Sequence, residues 1–207
     1  MPLVYQQNIN LHTRLGVWHI SEEEDFFLSK VSLHKGIRHP HKRLQHMAGR
    51  YILKELYPEF PLELILIADT NKPFLPGEAY HFSISHCGEY AAAIVSKENR
   101  VGTDIEMIQQ KISKIKNKFL NENELEILKA LPMEHEKALT LSWSIKEAVY
   151  KWYGAGKVDF RGHIHIKEII LTDNLYSGVC LFTRNEHVLL HVQGLFFSNI
   201  WLTWITS

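Results

Sequence analysis

The chain has 207 residues, enough for one large domain or two halves of about 100 residues each, and a length in that range buries roughly 70% of its unfolded surface with no need of a metal or disulfide staple. With 45% hydrophobic and 22% charged residues it has the make-up of an ordinary globular protein, which excludes a disordered tail or a fibre. Lys plus Arg (23) equals Asp plus Glu (23), so bulk charge points neither to nucleic acid nor to an anionic membrane, and any anion site must be local.

The longest apolar runs, such as Leu64 to Ala68, are strand-sized, well short of the roughly 18 residues of a membrane span. Met1 to Asn10 lacks the basic-then-apolar pattern of a signal peptide, so no membrane anchor is expected. Cys87 and Cys180 have no metal or redox spacing, and a reduced cytoplasm is the expected compartment. His39-x-His41 and His163-x-His165 have the look of ligand pairs but lack a third partner, so no metal is assigned to them.

In chain order, Ser21 with Glu24 three residues on has capping-box spacing and predicts a helix from Ser21 to about Leu33. Leu44, Met47, Ala48, Tyr51 and Ile52 recur at helical spacing, predicting an amphipathic helix over 42–56. Arg43, His46, Arg50 and Lys54 fall in one polar stripe beside its apolar face. Residues 62–68 read as a strand, and Asn71-Lys72-Pro73 and Pro76-Gly77 mark an irregular loop. Residues 82–86 alternate in the strand period, Cys87-Gly88-Glu89 turns the chain, and 90–96 return as a strand. Val101 to Glu106 alternates again. The next segment holds Lys111, Lys114, Lys116 and Lys118 without an acid and precedes a helix over 122–131. Pro132 ends that helix, and 136–154 is the best-defined helix in the chain. From Ile164 onward, apolar β-rich runs separated by Asp173-Asn174, Asn185-Glu186 and Ser198-Asn199 suggest antiparallel strands. A composition shift near residue 100 sets the expected boundary between two α/β halves, 1–100 and 101–207.

On the Val101–Glu106 strand, Asp104 and Glu106 share a face, about 6–7 Å apart, a span from which both reach one hard cation. In the helix running from Trp143 to Trp152, Ile145, Ala148, Val149 and Trp152 form the buried stripe, leaving Glu147 and Lys151 one turn apart on a neighbouring face. By themselves these two read equally as a surface Glu–Lys pair, but two tryptophans bracket them. Three carboxylates and a lysine suit magnesium-assisted chemistry on a phosphate: Mg²⁺ takes oxygen ligands, and a lysine neutralises a departing phosphate.

Taken together, Phe82-Ser83-Ile84-Ser85-His86, then Gly102-Thr103-Asp104-Ile105-Glu106, then Trp143-Ser144-Ile145-Lys146-Glu147 through Lys151 resemble the three signature motifs of the 4'-phosphopantetheinyl transferase superfamily, in order and suitably spaced. Asn71-Lys72-Pro73 resembles its G-K-P element, and Lys42-Arg43 through Gly49-Arg50 its basic helix. The resemblance covers about residues 40–155 and, with the chain's length, points to the monomeric surfactin-synthetase-activating branch. It implies an α+β fold of two similar α/β halves forming a pseudo-dimer with the active site between them.

The resemblance implies transfer of the phosphopantetheine arm of coenzyme A to a serine of an apo acyl or peptidyl carrier protein, releasing 3',5'-ADP, with neither nucleic acid nor membrane as partner. Asp104, Glu106 and Glu147 would hold Mg²⁺ against the pyrophosphate, Lys151 would neutralise it, and Lys146 would support it. Lys72, Ser85 and His86 match positions that bind coenzyme A phosphates, to which Arg43 and Arg50 are added. Glu124 matches a glutamate proposed to deprotonate the carrier serine; a helix N-terminal carboxylate, with a metal-bound water as base, is the alternative. The departures from the pattern are Thr103 in place of Ile or Val, Cys87 in place of Ser, and Asn71 in place of the G-K-P glycine. Two competing readings are a non-catalytic coenzyme A or carrier-binding module and an unrelated Mg²⁺ phosphohydrolase or nuclease. The first predicts a lost ligand, and the second leaves Lys72 and Ser85-His86 unexplained.

Overall fold

The first twenty residues form a hairpin that the hydrophobic pattern does not announce: β1 (Leu3–Asn8) pairs antiparallel with β2 (Thr13–His19). In the computed structural model, which describes residues 2–32 and 36–207, the chain divides into two units, Met1–Val101 and Gly102–Ser207. Each is a mixed α and β unit with a sheet covered by one long helix.

In the first unit β2 also pairs with β6 (Tyr90–Ser96), and β6 with β5 (His81–Cys87), giving an antiparallel sheet of order β1-β2-β6-β5. The expected β5–β6 hairpin is present, with Gly88 at φ 53° in its turn. Helix α1 is shorter than expected, Glu24–Leu28, and Ser21 is not its cap. Glu24 is held by Arg43 instead of folding back on the chain, which removes the capping box. The helix end expected near Leu33 falls at Leu28, and Leu33 itself lies outside the described residues.

Helix α2 (Pro40–Leu56) starts with proline in its first turn, where the missing N–H has no intrahelical acceptor to lose. Its buried residues Met47, Ala48, Ile52, Leu53 and Leu56 pack in one core with Ala91, Ala93 and Val95 of β6. Gly49 is the point of closest approach to β5: a Cβ there would sit 2.5 Å from Ile84 Cγ2. The strand expected over 62–68 is instead a 3-10 turn, Leu62–Leu64, and a two-residue strand β3 (Leu66–Ile67) paired with β4 (Pro73–Phe74). Of that apolar run only Leu62 is buried, so it has no sheet face to occupy. Asn71, in place of the expected glycine, adopts φ 63°, a conformation asparagine tolerates better than most residues.

In the second unit β7 (Val101–Met107) is followed by α3 (Lys111–Phe119), α4 (Glu122–Lys129), α5 (His135–Tyr153) and the short α6 (Phe160–His163). Strands β8 (Ile164–Thr172), β9 (Leu175–Phe182), β10 (Val188–Phe197) and β11 (Ile200–Thr206) form an antiparallel meander, with β7 beside β11. The β10–β11 turn places Ser198 and Asn199 both at positive φ, as a tight two-residue hairpin demands. Leu141, Ile145, Val149 and Trp152 of α5 share a core with Ile166, Cys180, Phe182, Val192 and Trp201. Gly102 decides how β7 meets α5: a Cβ there would overlap the Ala148 carbonyl oxygen and lie 2.7 Å from Trp152 N. Thr103, where the motif resemblance leads one to expect Ile or Val, is buried and donates from Oγ1 to the Thr203 carbonyl at 2.8 Å.

Candidate functional site

The second unit brings its motif residues together through the β7–α5 contact. Asp104, 2% exposed, accepts from Lys151 Nζ at 2.6 Å, so the helix lysine is fixed to the strand carboxylate. Glu147 lies one turn before Lys151. Burial, with the charges of Asp104 and Glu106 beside it, pushes its carboxyl up to about 7 against the pull of Lys151. Trp143, a further turn back, donates from Nε1 to Glu106 Oε1 at 3.3 Å.

These three carboxylates suit a hard cation in one respect: they crowd negative charge where Glu147 is least comfortable ionised. Among the described residues no three His, Cys, Asp or Glu side chains are drawn together closely enough to hold an ion unaided. Mg²⁺ commonly takes one or two carboxylates with water and substrate phosphate oxygens, and this donor set fits that form of site.

Lys146 and Glu124 are placed otherwise than the motif implied. Lys146 is fully buried; its Nζ donates to the carbonyls of Phe119 (2.6 Å), Phe160 (2.9 Å) and Ile164 (2.7 Å) and pairs with Glu124 Oε1 at 2.7 Å. Three ammonium hydrogens already shared among four oxygens leave nothing for a coenzyme A phosphate. Glu124, 1% exposed, also accepts from Ile166 N at 2.9 Å and, through Oε2, from Asn121 N at 2.8 Å in a capping box. Both of its oxygens are occupied by the fold, and a general base needs to reach its proton. The capping box supports the helix-terminal reading of Glu124.

The first unit holds a cavity of about 600 Å³. One side carries basic residues, Lys42, His46 and Arg50 from α2 and His86 from β5; the other is apolar, with Ile37, Ile65, Ile67 and Ile84. Asn71 and Pro73 also line it, and Lys72 lies between them. Burial, with the charge of Arg100, brings the Lys72 ammonium down to about 8. Arg50 is 9% exposed and donates from Nη1 to His46 Nδ1 at 3.0 Å, which makes His46 neutral with its proton on Nε2. Burial also lowers the Arg50 guanidinium from its usual value, so an anion in the cavity would relieve a desolvated cation.

Arg43 does not belong to this cavity. Its Nε and Nη2 form a two-pronged pair with the Glu24 carboxylate at 2.8 and 2.6 Å, tying α1 to α2. The cavity-facing stripe of α2 is Lys42, His46 and Arg50, spaced i, i+4, i+8, and not the Arg43, His46, Arg50 and Lys54 stripe expected from the sequence. Ser85 alternates to the strand face opposite Ile84 and His86 and is not among the cavity lining.

A second cavity, of about 370 Å³, lies in the second unit among α3, α5 and β7. Met107, Ile112, Ile115 and Trp143 give it apolar walls, and Lys111, Lys114 and Glu106 also line it.

Residues 100–195 match the family profile described as the 4'-phosphopantetheinyl transferase superfamily. The chain is similar to enterobactin synthase component D of Salmonella typhi, at 34% identity over 113 residues that make up 53% of this chain and 47% of that protein. It is also similar to 4'-phosphopantetheinyl transferase psf-1 of Bacillus pumilus, at 32% identity over 111 residues, 52% of this chain and 47% of that one. The chain thus spans about half the length of these curated relatives. Among solved structures, holo-[acyl-carrier-protein] synthase of Thermotoga maritima matches with a TM-score of 0.38 and 15% identity over 51% of this chain and 61% of that one, too loose a likeness to argue from.

Proposed function

Because the chain carries a 4'-phosphopantetheinyl transferase superfamily domain over residues 100–195, we propose that it transfers the 4'-phosphopantetheine arm of coenzyme A to a serine of an apo acyl or peptidyl carrier protein and releases 3',5'-ADP. The observation that carries this reading is the Asp104–Lys151 pair at 2.6 Å, with Glu147 one turn away, inside the matched segment. The serine oxygen bonds to the phosphorus that bears the arm, the phosphorus–oxygen bond to 3',5'-ADP breaks, and the serine proton passes to water. Lys151, oriented by Asp104, meets the negative charge of the pyrophosphate. Asp104, Glu106 and Glu147 would hold Mg²⁺, which when bound supplies charge stabilisation at the phosphoryl oxygens.

In this reading the first-unit cavity takes the nucleotide end. Lys42 and Arg50 supply charge for phosphates, with His46 and His86 beside them as polar groups, and the isoleucines suit a flat base. Lys72 belongs to the same phosphate-binding group. In this reading the chain works in the cytoplasm as a monomer, on coenzyme A and the carrier protein. Among the described residues no helix is long and apolar enough to cross a membrane. The test is to incubate the protein with coenzyme A, Mg²⁺ and an apo carrier protein and to weigh the carrier by mass spectrometry. The carrier should gain the mass of one arm, and chelating the metal should stop the gain. An unmodified carrier across acyl and peptidyl types would refute the proposal.

A further inference from the structure

Trp143 stands one helical turn before Glu147 on α5, and its indole N–H points at Glu106. An indole nitrogen only donates, so the 3.3 Å bond commits one carboxylate oxygen of Glu106 as acceptor. The ring that carries this N–H is clamped. Phe119 meets it edge-on at a centroid separation of 5.1 Å and an interplanar angle of 77°, and Phe160 lies tilted against it at 5.4 Å. Tyr150 backs Phe160 in turn at 5.6 Å.

The clamp is itself anchored. The carbonyls of Phe119 and Phe160 both accept from the buried Lys146 Nζ, at 2.6 and 2.9 Å, and Glu124 neutralises that ammonium at 2.7 Å. One buried ion pair thus fixes two aromatic residues, these fix an indole, and the indole fixes a carboxylate on the neighbouring strand.

We propose that Trp143 is a positioning residue for the divalent cation: its N–H holds Glu106 in the orientation from which that carboxylate binds the ion. This rests on the reading of Glu106 as a cation ligand. A glutamate carboxylate left unheld samples several rotamers, and binding an ion must then freeze them. A donor that orients it beforehand removes that entropic loss, and such outer partners typically change metal affinity by about 10–100-fold.

The experiment titrates Mn²⁺ into the full chain with saturating coenzyme A and no carrier protein, reading free Mn²⁺ by electron paramagnetic resonance. Trp143→Phe keeps a ring between Phe119 and Phe160 but removes the N–H. It should weaken Mn²⁺ binding about 10-fold while the metal-free melting temperature and coenzyme A affinity in chelator stay at wild-type values. Glu106→Gln should also weaken Mn²⁺, and the double variant should be no weaker than Glu106→Gln alone, because the indole acts through that carboxylate. Phe160→Leu, which loosens the clamp and keeps the N–H, should give a smaller loss and serves if Trp143→Phe fails to fold. Wild-type Mn²⁺ affinity in Trp143→Phe beside a loss in Glu106→Gln overturns the proposal and leaves the cation reading standing. Wild-type affinity in both overturns the two together, and a double variant weaker than Glu106→Gln shows that the tryptophan acts elsewhere.

Discussion

Lys72 is the first-unit cation whose protonation burial moves into an accessible pH range. Its ammonium is brought from 10.5 down to about 8, chiefly by burial and then by Arg100. Below about pH 8 the fold carries a charge it disfavours, and that destabilisation is relieved as pH rises from about 8 towards the unfolded-state value. Phosphate binding runs the other way, because it needs the charged form. Calorimetric titration with 3',5'-ADP, which has no thiol to confuse the profile, should therefore show affinity falling as pH rises through about 8. Lys72→Arg should hold its affinity across the same range; a flat wild-type profile would remove Lys72 from the phosphate site. The residues legible in the sequence are those whose shared face follows from one strand or one helix period: Asp104 with Glu106, and Glu147 with Lys151. Lys146 and Glu124 sit in or beside the same motifs, yet their roles are set by Phe160, Ile164 and Ile166, whose approach no local spacing records.

Helix α3 goes unassigned in the sequence because its charges are more conspicuous than its apolar residues. Ile112, Ile115 and Phe119 recur at helical spacing and pack into the second-unit core, while Lys111, Lys114 and Lys118 remain exposed. The lysines are thus the outer face of an ordered helix that also walls the second-unit cavity. We propose that the carrier protein docks on this face through acidic side chains of its own. Lys114→Glu with Lys118→Glu should raise the KM for carrier severalfold and leave coenzyme A affinity unchanged, and wild-type KM should rise with salt. An unaltered carrier KM in the double reversal would deny α3 a docking role. The β5–β6 hairpin was legible because an alternating strand, a Gly88 turn and a run of small apolar residues follow one another, and β7 because Val101 to Glu106 alternates. Strand β1 was not, because as a half-buried edge strand it exposes Val4 and Gln6 alike, so hydrophobicity does not track burial. The capping box at Ser21 failed for another reason: Arg43, far along the chain, took its glutamate.

For the molecule as a whole, equal numbers of acidic and basic groups leave no long-range field to gather an anionic substrate or partner. Recognition must come from local clusters, and each unit supplies one. The first has the Lys42–His46–Arg50 stripe with His86, and the second has the Asp104–Lys151 pair with Glu106 and Glu147. The order of the motifs along the chain made the family legible, and the matched segment, 100–195, contains all four residues of the second cluster. What no motif order conveys is which basic side chains face the cavity, since Arg43 and Lys42 are neighbours in sequence and one of them is bound to Glu24. In the proposed reaction a phosphorus–oxygen bond of coenzyme A is exchanged, not hydrolysed, at the Glu147 cluster. The direct measurement follows 3',5'-ADP and modified carrier together over time, with wild-type protein and with Glu147→Gln. Both products should form in equal amounts, at a rate at least about 100-fold lower in the variant, about 2.7 kcal/mol of transition-state stabilisation. Cleavage of coenzyme A without a carrier, or wild-type turnover by a folded Glu147→Gln protein, would contradict it.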